Sequence, residues 1–311
     1  MNNQPLVSVP VVTYNSSKFV LETLESIKAQ TYQNIELIIS DDCSTDNTVK
    51  LCQKWVEQNK DRFIRTQIIT SETNTGVSAN LNRAEAACQG EWVKGIAGDD
   101  LLIPRCIELC VEFISKHSNV FYLFGKIQAF GACEEKNELY TSLTFDYSFF
   151  DLDISAQLDY LIYDKNCIPA ATFFYNRQKS LDMRIFNDER IPLLEDWPKW
   201  IKILEKGEKL HILDDTIVKY RLHEDSLSTK GILSVQYIYS NLLFDLLYRY
   251  PRWEEKYGVQ SAKMYADYYA KLYSITFNEL CLIQEQLNNI KNGLAYRLGK
   301  KIVKFFKLRG N

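Results

Sequence analysis

Short apolar runs rich in β-branched residues alternate with apolar positions at helical spacing through residue 96. Val7-Ser8-Val9-Pro10-Val11-Val12, Ile35-Glu36-Leu37-Ile38-Ile39, Phe63 to Ile69 and Trp92 to Ile96 predict four strands. Between them, Lys18 to Gln30, Thr48 to Gln58 and Val77 to Cys88 predict helices. Strands that are apolar throughout, each followed by a helix, predict a parallel sheet covered on both faces. Ser44 and Asp46 stand where they can cap the second helix. Pro10 cannot donate to a central ladder, so the first strand is expected to carry a local irregularity there.

The pattern loosens after Pro104. A helix to about Lys116, a strand over Val120 to Phe130, and loops across the polar, aromatic stretch Glu134 to Ser155 are expected. A helix starting near Asp196 and a strand over Thr216 to Leu222 follow. From about Ile232 the chain reads as helical and tyrosine-rich, interrupted around Pro251. The fold class is therefore α/β. A mainly parallel sheet flanked by helices is expected over residues 1–230, with a nucleotide-binding half to about 104 and an acceptor half beyond it. A helical extension over 231–311 completes the chain.

Composition narrows this picture. The 311 residues are 46% hydrophobic and 25% charged, the balance of a soluble protein with a sizeable core. No apolar run approaches the eighteen or so residues that a membrane span needs. The start MNNQPLVSVPVVTYN lacks a signal peptide's basic and apolar regions, which predicts a cytoplasmic protein. Eight cysteines without a CxxC pair predict reduced thiols and neither a disulfide framework nor a zinc cage. A net charge of −3 argues against a general nucleic-acid binder.

In open α/β sheets the ligand crevice lies outside the carboxyl ends of the strands. Polar clusters fall at three of those ends: Thr13-Tyr14-Asn15, Asp41-Asp42-Cys43-Ser44-Thr45-Asp46, and Gly98-Asp99-Asp100. Neither a GxGxxG fingerprint nor a Walker loop is present, so a bound diphosphate would need a metal to neutralise it. Asp99 and Asp100 offer hard oxygen ligands, although such pairs more often cap turns. Glu195 and Asp196 open a helix with Pro198 in its first turn, which simple capping also explains. His223 follows a strand, where a solvated loop histidine is the plainer reading.

Taken together, these pieces resemble an inverting family 2 glycosyltransferase of the GT-A fold, the type that builds bacterial surface polysaccharides. The matching segments, in order, include Val7 to Asn15, Gln30-Thr31-Tyr32, Ile38 to Asp42 with Ser44 to Thr48, Asn74-Thr75-Gly76, Gly98-Asp99-Asp100 with Pro104, Glu195-Asp196-Trp197, and Tyr220 to His223. The resemblance implies that Thr13, Tyr14, Asn15, Asp42 and Gly76 hold the nucleotide, with Tyr14 against the base and Asp42 on its edge. It implies that Asp99 and His223 hold Mn²⁺ or Mg²⁺. Ala97 replaces the first aspartate of the family's Asp-x-Asp motif, and Asp100 is expected to cover part of the ribose contact. Asp196 is the implied general base, Glu195 places the acceptor, and Trp197 and Trp200 wall the acceptor pocket. The implied partners are a nucleotide-sugar donor, in most relatives UDP-linked, and a glycan or lipid-diphosphate-linked acceptor for O-antigen or capsule assembly.

Two enzyme classes and one non-enzyme class fit the motifs. A nucleotidyltransferase shares the α/β core but needs a glycine-rich phosphate loop, which Thr13 to Ser17 does not supply. A non-catalytic nucleotide-sugar-binding subunit would have lost Asp99, Asp196 or His223, and all three are present. His117, His211 and the helix-face pair Cys106 and Cys110 carry no assigned role. Wound as a helix, Leu294 to Leu308 puts Leu294, Leu298, Ile302, Phe305 and Phe306 on one side. Arg297, Lys300, Lys301, Lys304 and Lys307 take the other. Such a basic amphipathic helix either lies on an anionic membrane surface, at the inner face of the cell membrane, or docks on the body.

Overall fold

The computed structural model describes residues 4–132, 134–191, 193–223, 240–241, 243–258, 260 and 264. The chain divides into two compact units, Met1–Glu189 with Glu195–His223, and Arg190–Leu194 with Glu224–Asn311. The tail helix proposed over 294–308 lies outside the described residues.

The first unit opens with β1 (Val7–Thr13), α1 (Val20–Lys28), β2 (Ile35–Asp41), α2 (Thr48–Asn59), β3 (Arg65–Thr70) and α3 (Val77–Ala86). β1 pairs in parallel with β2, and β2 with β3. Every residue of β2 is buried, because helices cover both faces of the sheet and leave no solvent side to alternate with. Ser40 and Asp41 are polar at the carboxyl end of that run, and Glu36 is polar at its start. The Glu36 carboxylate is buried at the amino end, where Ser8 Oγ at 2.5 Å, the Gly90 N–H at 2.9 Å and Arg65 at 2.9 Å satisfy it.

The expected irregularity at Pro10 has a clear form. Even-numbered residues of β1 turn their backbone toward the next strand, as the Leu6 carbonyl accepting from Glu91 and the Val12 carbonyl accepting from Gly98 show. On that side the ladder is split into β4 (Trp92–Lys94), paired with Val7 and Ser8, and β5 (Ile96–Ala97), paired with Val11 and Val12. Pro10, which lacks an N–H, stands at the break, with Gly95 beside its ring. The missing donor therefore costs no ladder bond, and β1 stays central.

β6 (Leu101–Leu102), α4 (Cys106–Lys116) and β7 (Tyr122–Phe130) follow. The stretch expected to be loops instead holds α5 (Glu134–Thr144), a 3-10 turn at Tyr147–Asp151 and α6 (Ile154–Tyr163). Few apolar positions mark α5 in sequence. Its Tyr140 stacks on Tyr220 at 5.6 Å, a tertiary contact that periodicity cannot reveal. Asp153 caps α6 by accepting from the Ala156 N–H at 2.9 Å. β8 (Phe174–Asn176), α7 (Arg177–Asp182), α8 (Asp196–Glu205) and β9 (His211–Arg221) complete the unit. β9 starts five residues before its expected position. Asp214 and Asp215 are exposed at a register irregularity opposite β7, and they hide the apolar alternation.

Among the described residues the sheet has nine strands in the order β3-β2-β1-β4-β8-β7-β9-β6, with β5 also on β1. The pairs of β8 with β4 and β7, and of β6 with β9, are antiparallel; the others are parallel. The core runs from Val7, Val9 and Val11 through Leu24, Ile27, Leu37 and Ile39 to Leu123, Phe174 and Ile217. The six described cysteines are unpaired, and five of them are buried. In the second unit, a π-helical turn at Asp245–Arg249 leads into α9 (Tyr250–Tyr257), whose first turn takes Pro251. Among the described residues no helix is long and apolar enough to cross a membrane.

Candidate active site

The loops after β1 and β2 are laced together at the carboxyl edge of the sheet. Thr13 Oγ1 donates to Asp41 Oδ2 at 2.7 Å, and the same carboxylate accepts from Ser44. Asn15, at φ 51°, donates its N–H to Ser44 Oγ at 2.7 Å and accepts from the Thr45 N–H at 2.9 Å. Asp46 joins the Ser17 and Thr48 N–H groups, so it ties the first loop to the start of α2. Tyr14 stands between these anchors with 49% of its surface exposed. Its ring is a free stacking face on a fixed backbone.

Asp42 is 3% exposed and already engaged. It accepts from Thr75 Oγ1 at 2.6 Å, the Thr75 N–H at 2.9 Å, the Gly76 N–H at 2.8 Å and Arg83 at 3.2 Å. Burial would raise its carboxyl, but these bonds outweigh burial and hold it below the ordinary value. Gly76 sits at φ 88°, a conformation that disfavours any side chain, and begins α3 there. Asp42 was expected to meet a base edge. In this structure its acceptor positions are spent on the loop before α3 and on Arg83.

Gly98 follows β5 and lies against the first loop. A Cβ there would stand 2.8 Å from Thr13 Cγ2, so only glycine lets this turn approach so closely. The turn presents Asp99, whose Oδ2 lies 3.0 Å from His223 Nε2 at the end of β9. Asp100 points the other way. It is buried, accepts from the Arg221 N–H at 2.8 Å, and burial followed by the Asp99 charge raises its carboxyl well above the ordinary value. The ribose contact expected of Asp100 finds a carboxyl turned inward to brace β9.

Asp99 and His223 suit a hard divalent cation. Oδ2 and Nε2 are hydrogen-bonded at 3.0 Å, a separation that cis ligands of an octahedral ion with bonds near 2.1 Å, about 3.0 Å apart, can also take. The His223 Nδ1 atom is buried and has no hydrogen-bond partner among the described residues. A carboxylate only accepts, so Nε2–H donates to Asp99 here, and a cation would take the Nε2 lone pair in place of that hydrogen, which the other tautomer carries on Nδ1. Among the described residues no third carboxylate, imidazole or thiol completes a cluster, so a cation would take further ligands from water or a substrate.

Glu195 and Asp196 open α8. Asp196 Oδ2 accepts from Asn166 Nδ2 at 2.8 Å, and Oδ1 accepts from the Trp197 N–H at 2.8 Å. Both acids keep partial solvent contact but are densely surrounded by protein. Burial, then the neighbouring Asp196 charge, pushes Glu195 up to about 7. Burial also raises Asp196, against the bonds from Asn166 and Trp197. The buried Trp200 indole N–H makes no hydrogen bond of ordinary geometry, yet it lies near enough to Asp196 to temper that rise.

The two tryptophans differ from their expected use. Trp200 is 2% exposed and meets Phe124 and Phe173 edge-on at 4.9 and 4.5 Å. Trp197 is buried as well and donates Nε1–H to the Leu161 carbonyl at 2.9 Å. Both lie on the apolar face of α8 with Ile201 and Leu204, so they support the site from behind and offer no ring to an acceptor.

The strand arrangement sets these clusters on one edge of the sheet. β8 is antiparallel to β4 and begins at the carboxyl end of the parallel strands, so the segment before it lies on that edge. There the buried Lys94 ammonium donates to Gly95 and Ala171 carbonyls, both at 2.7 Å. Asn166, a few residues earlier, holds Asp196. Asn166, Arg83, Arg221 and Phe19 carry contacts here that spacing did not flag, because each acts through a partner distant in sequence.

The glycosyl transferase family 2 profile matches residues 8–183. Among curated proteins, the candidate teichuronic acid biosynthesis glycosyltransferase TuaG of Bacillus subtilis (strain 168) is 28% identical over 232 residues, covering 73% of this chain and 83% of that protein. The candidate glycosyltransferase EpsE of the same organism is 38% identical over 117 residues, which span 38% of this chain and 41% of EpsE. The solved structure of S. aureus TarS 1–349 in complex with UDP-GlcNAc superposes with a TM-score of 0.61 at 21% identity, over 78% of this chain and 66% of that one. That likeness shows a shared GT-A architecture. The match at residues 8–183 covers more than half of the sequence, and the chain belongs to glycosyl transferase family 2.

Proposed function

We propose that the protein transfers a sugar from a UDP-linked donor to a hydroxyl of a glycan or lipid-diphosphate-linked acceptor, with inversion, in surface-polysaccharide assembly. The observation that carries this reading is the 3.0 Å approach of Asp99 to His223, residues 124 positions apart, on the strand edge that also carries the exposed Tyr14. A donor base stacks on Tyr14, and the Thr75-Gly76 loop that Asp42 anchors walls its edge. TuaG, by its name, and TarS, by its bound UDP-GlcNAc, support the polysaccharide setting and the UDP donor.

Asp99 and His223 hold Mn²⁺ or Mg²⁺, which when bound neutralises charge on the departing diphosphate. Asp196 accepts the proton of the incoming hydroxyl, and Asn166 fixes the oxygen that is not used. Glu195, its carboxyl near neutrality, holds the acceptor by hydrogen bonding. One base facing one leaving group gives inversion, by the logic that fixes stereochemistry in glycoside hydrolysis. The lipid-linked acceptor and the place at the inner membrane face belong to the same reading.

The test is incubation with a panel of nucleotide sugars and Mn²⁺, with product analysis. UDP release that depends on Mn²⁺ is expected. Asp196→Asn should lower turnover by roughly 10²- to 10⁴-fold while keeping the thermal stabilisation that the donor confers. Release of pyrophosphate would instead assign nucleotidyl transfer, and release of neither would assign a binding subunit.

A further inference from the structure

Arg221 lies two residues before His223 and would ordinarily be read as a cation for a donor's phosphates. Its contacts bind it to the protein instead. Nε donates to the Asp99 carbonyl at 2.7 Å, and Nη2 pairs with Glu22 at 2.7 Å. The guanidinium lies between the rings of Phe19 and Phe130, at 4.6 and 4.5 Å from their centroids. Its backbone N–H is bonded to Asp100 Oδ1, and the side chain is 10% exposed. Phe19, which covers one face of Arg221, also lies 4.7 Å from the His223 ring.

These contacts form one connected frame. The Arg221 side chain grips the peptide of Asp99, its main chain grips Asp100, and the ring it rests on packs against His223. We propose that Arg221 is a positioning residue that sets Asp99 and His223 at ligand spacing before a cation arrives, and that it makes no contact with the donor. The inference rests on the reading of Asp99 and His223 as cation ligands. Groups that orient metal ligands from behind contribute to affinity because they remove the cost of arranging those ligands. Lysine cannot replace arginine here, since it lacks both the planar fork and the stacking face.

The experiment titrates the full chain with Mn²⁺ alone, reading free Mn²⁺ by electron paramagnetic resonance, with thermal unfolding run in parallel. Arg221→Lys and Phe19→Leu should each weaken Mn²⁺ binding about 10-fold or more. UDP affinity at saturating Mn²⁺ should stay near wild type. If Arg221→Lys shows no unfolding transition, Phe19→Leu decides. Folded variants that bind Mn²⁺ as wild type does would overturn the proposal. So would unchanged Mn²⁺ binding with weakened UDP binding, which would make Arg221 a phosphate ligand. Asp99→Asn serves as the separate control. If it binds Mn²⁺ as tightly as wild type, the cation-site reading itself fails, and the inference falls with it.

Discussion

Replacing Asp42 with asparagine separates a residue that shapes a loop from one that only reads a base. In the native structure the carboxylate accepts two N–H bonds, one hydroxyl bond and the Arg83 guanidinium. Asparagine keeps one acceptor oxygen and turns an NH₂ toward groups that also donate. Bonds to a charged acceptor contribute about 1.5–3 kcal/mol each. With some of them retained in weaker form, the expected loss is about 3 kcal/mol. At 2–4 °C per kcal/mol for a body of this size, Tm should drop by roughly 6–12 °C. The pH dependence has a definite sign. The folded carboxyl titrates below its ordinary value of 3.8, so its contribution is complete above 3.8 and is lost as the pH falls through the depressed value. The difference in Tm between wild type and Asp42→Asn should therefore be full at pH 7 and close in acid. Differential scanning calorimetry across pH, paired with UDP titrations, measures both quantities. An unchanged Tm at pH 7 with lost UDP affinity would refute the loop-anchoring argument, as would a difference that persists in strong acid.

Two further outcomes follow from the α8 side of the site. Asn166→Ala removes a bond that lowers the Asp196 carboxyl, so the acidic limb of the kcat profile should move to higher pH with little change in Tm. A shift to lower pH would contradict that role. Trp200→Ala should cost about 3–5 kcal/mol as a core truncation, whereas Trp200→Phe should fold and leave the acceptor KM near wild type. A large rise in acceptor KM for a stable Trp200→Phe protein would return that ring to the acceptor pocket.

Local periodicity was enough to read the first three strand–helix units, the end of α4 and the start of α8, because each of these segments buries its own apolar face. The sequence by itself also marked Thr13, Tyr14, Asn15, Asp42, Gly76, Asp99, Asp100, Glu195, Asp196 and His223, which stand at strand ends or helix starts and match a family pattern. Tertiary structure decided the rest. α5 and α6 were hidden because their short apolar patterns find partners only across the fold, as Tyr140 does on Tyr220. The side on which Asp100 is satisfied and the partners of Asp42 depend on β9 and on the loop before α3. The burial of Trp197 and Trp200 depends on what packs against α8. Asn166 on Asp196 and Arg221 on Asp99 follow from the tertiary arrangement, since hydrogen bonds between segments 30 and 122 residues apart leave no periodic trace. A side chain's type limits the chemistry it can perform; which atoms it faces is a property of the folded sheet.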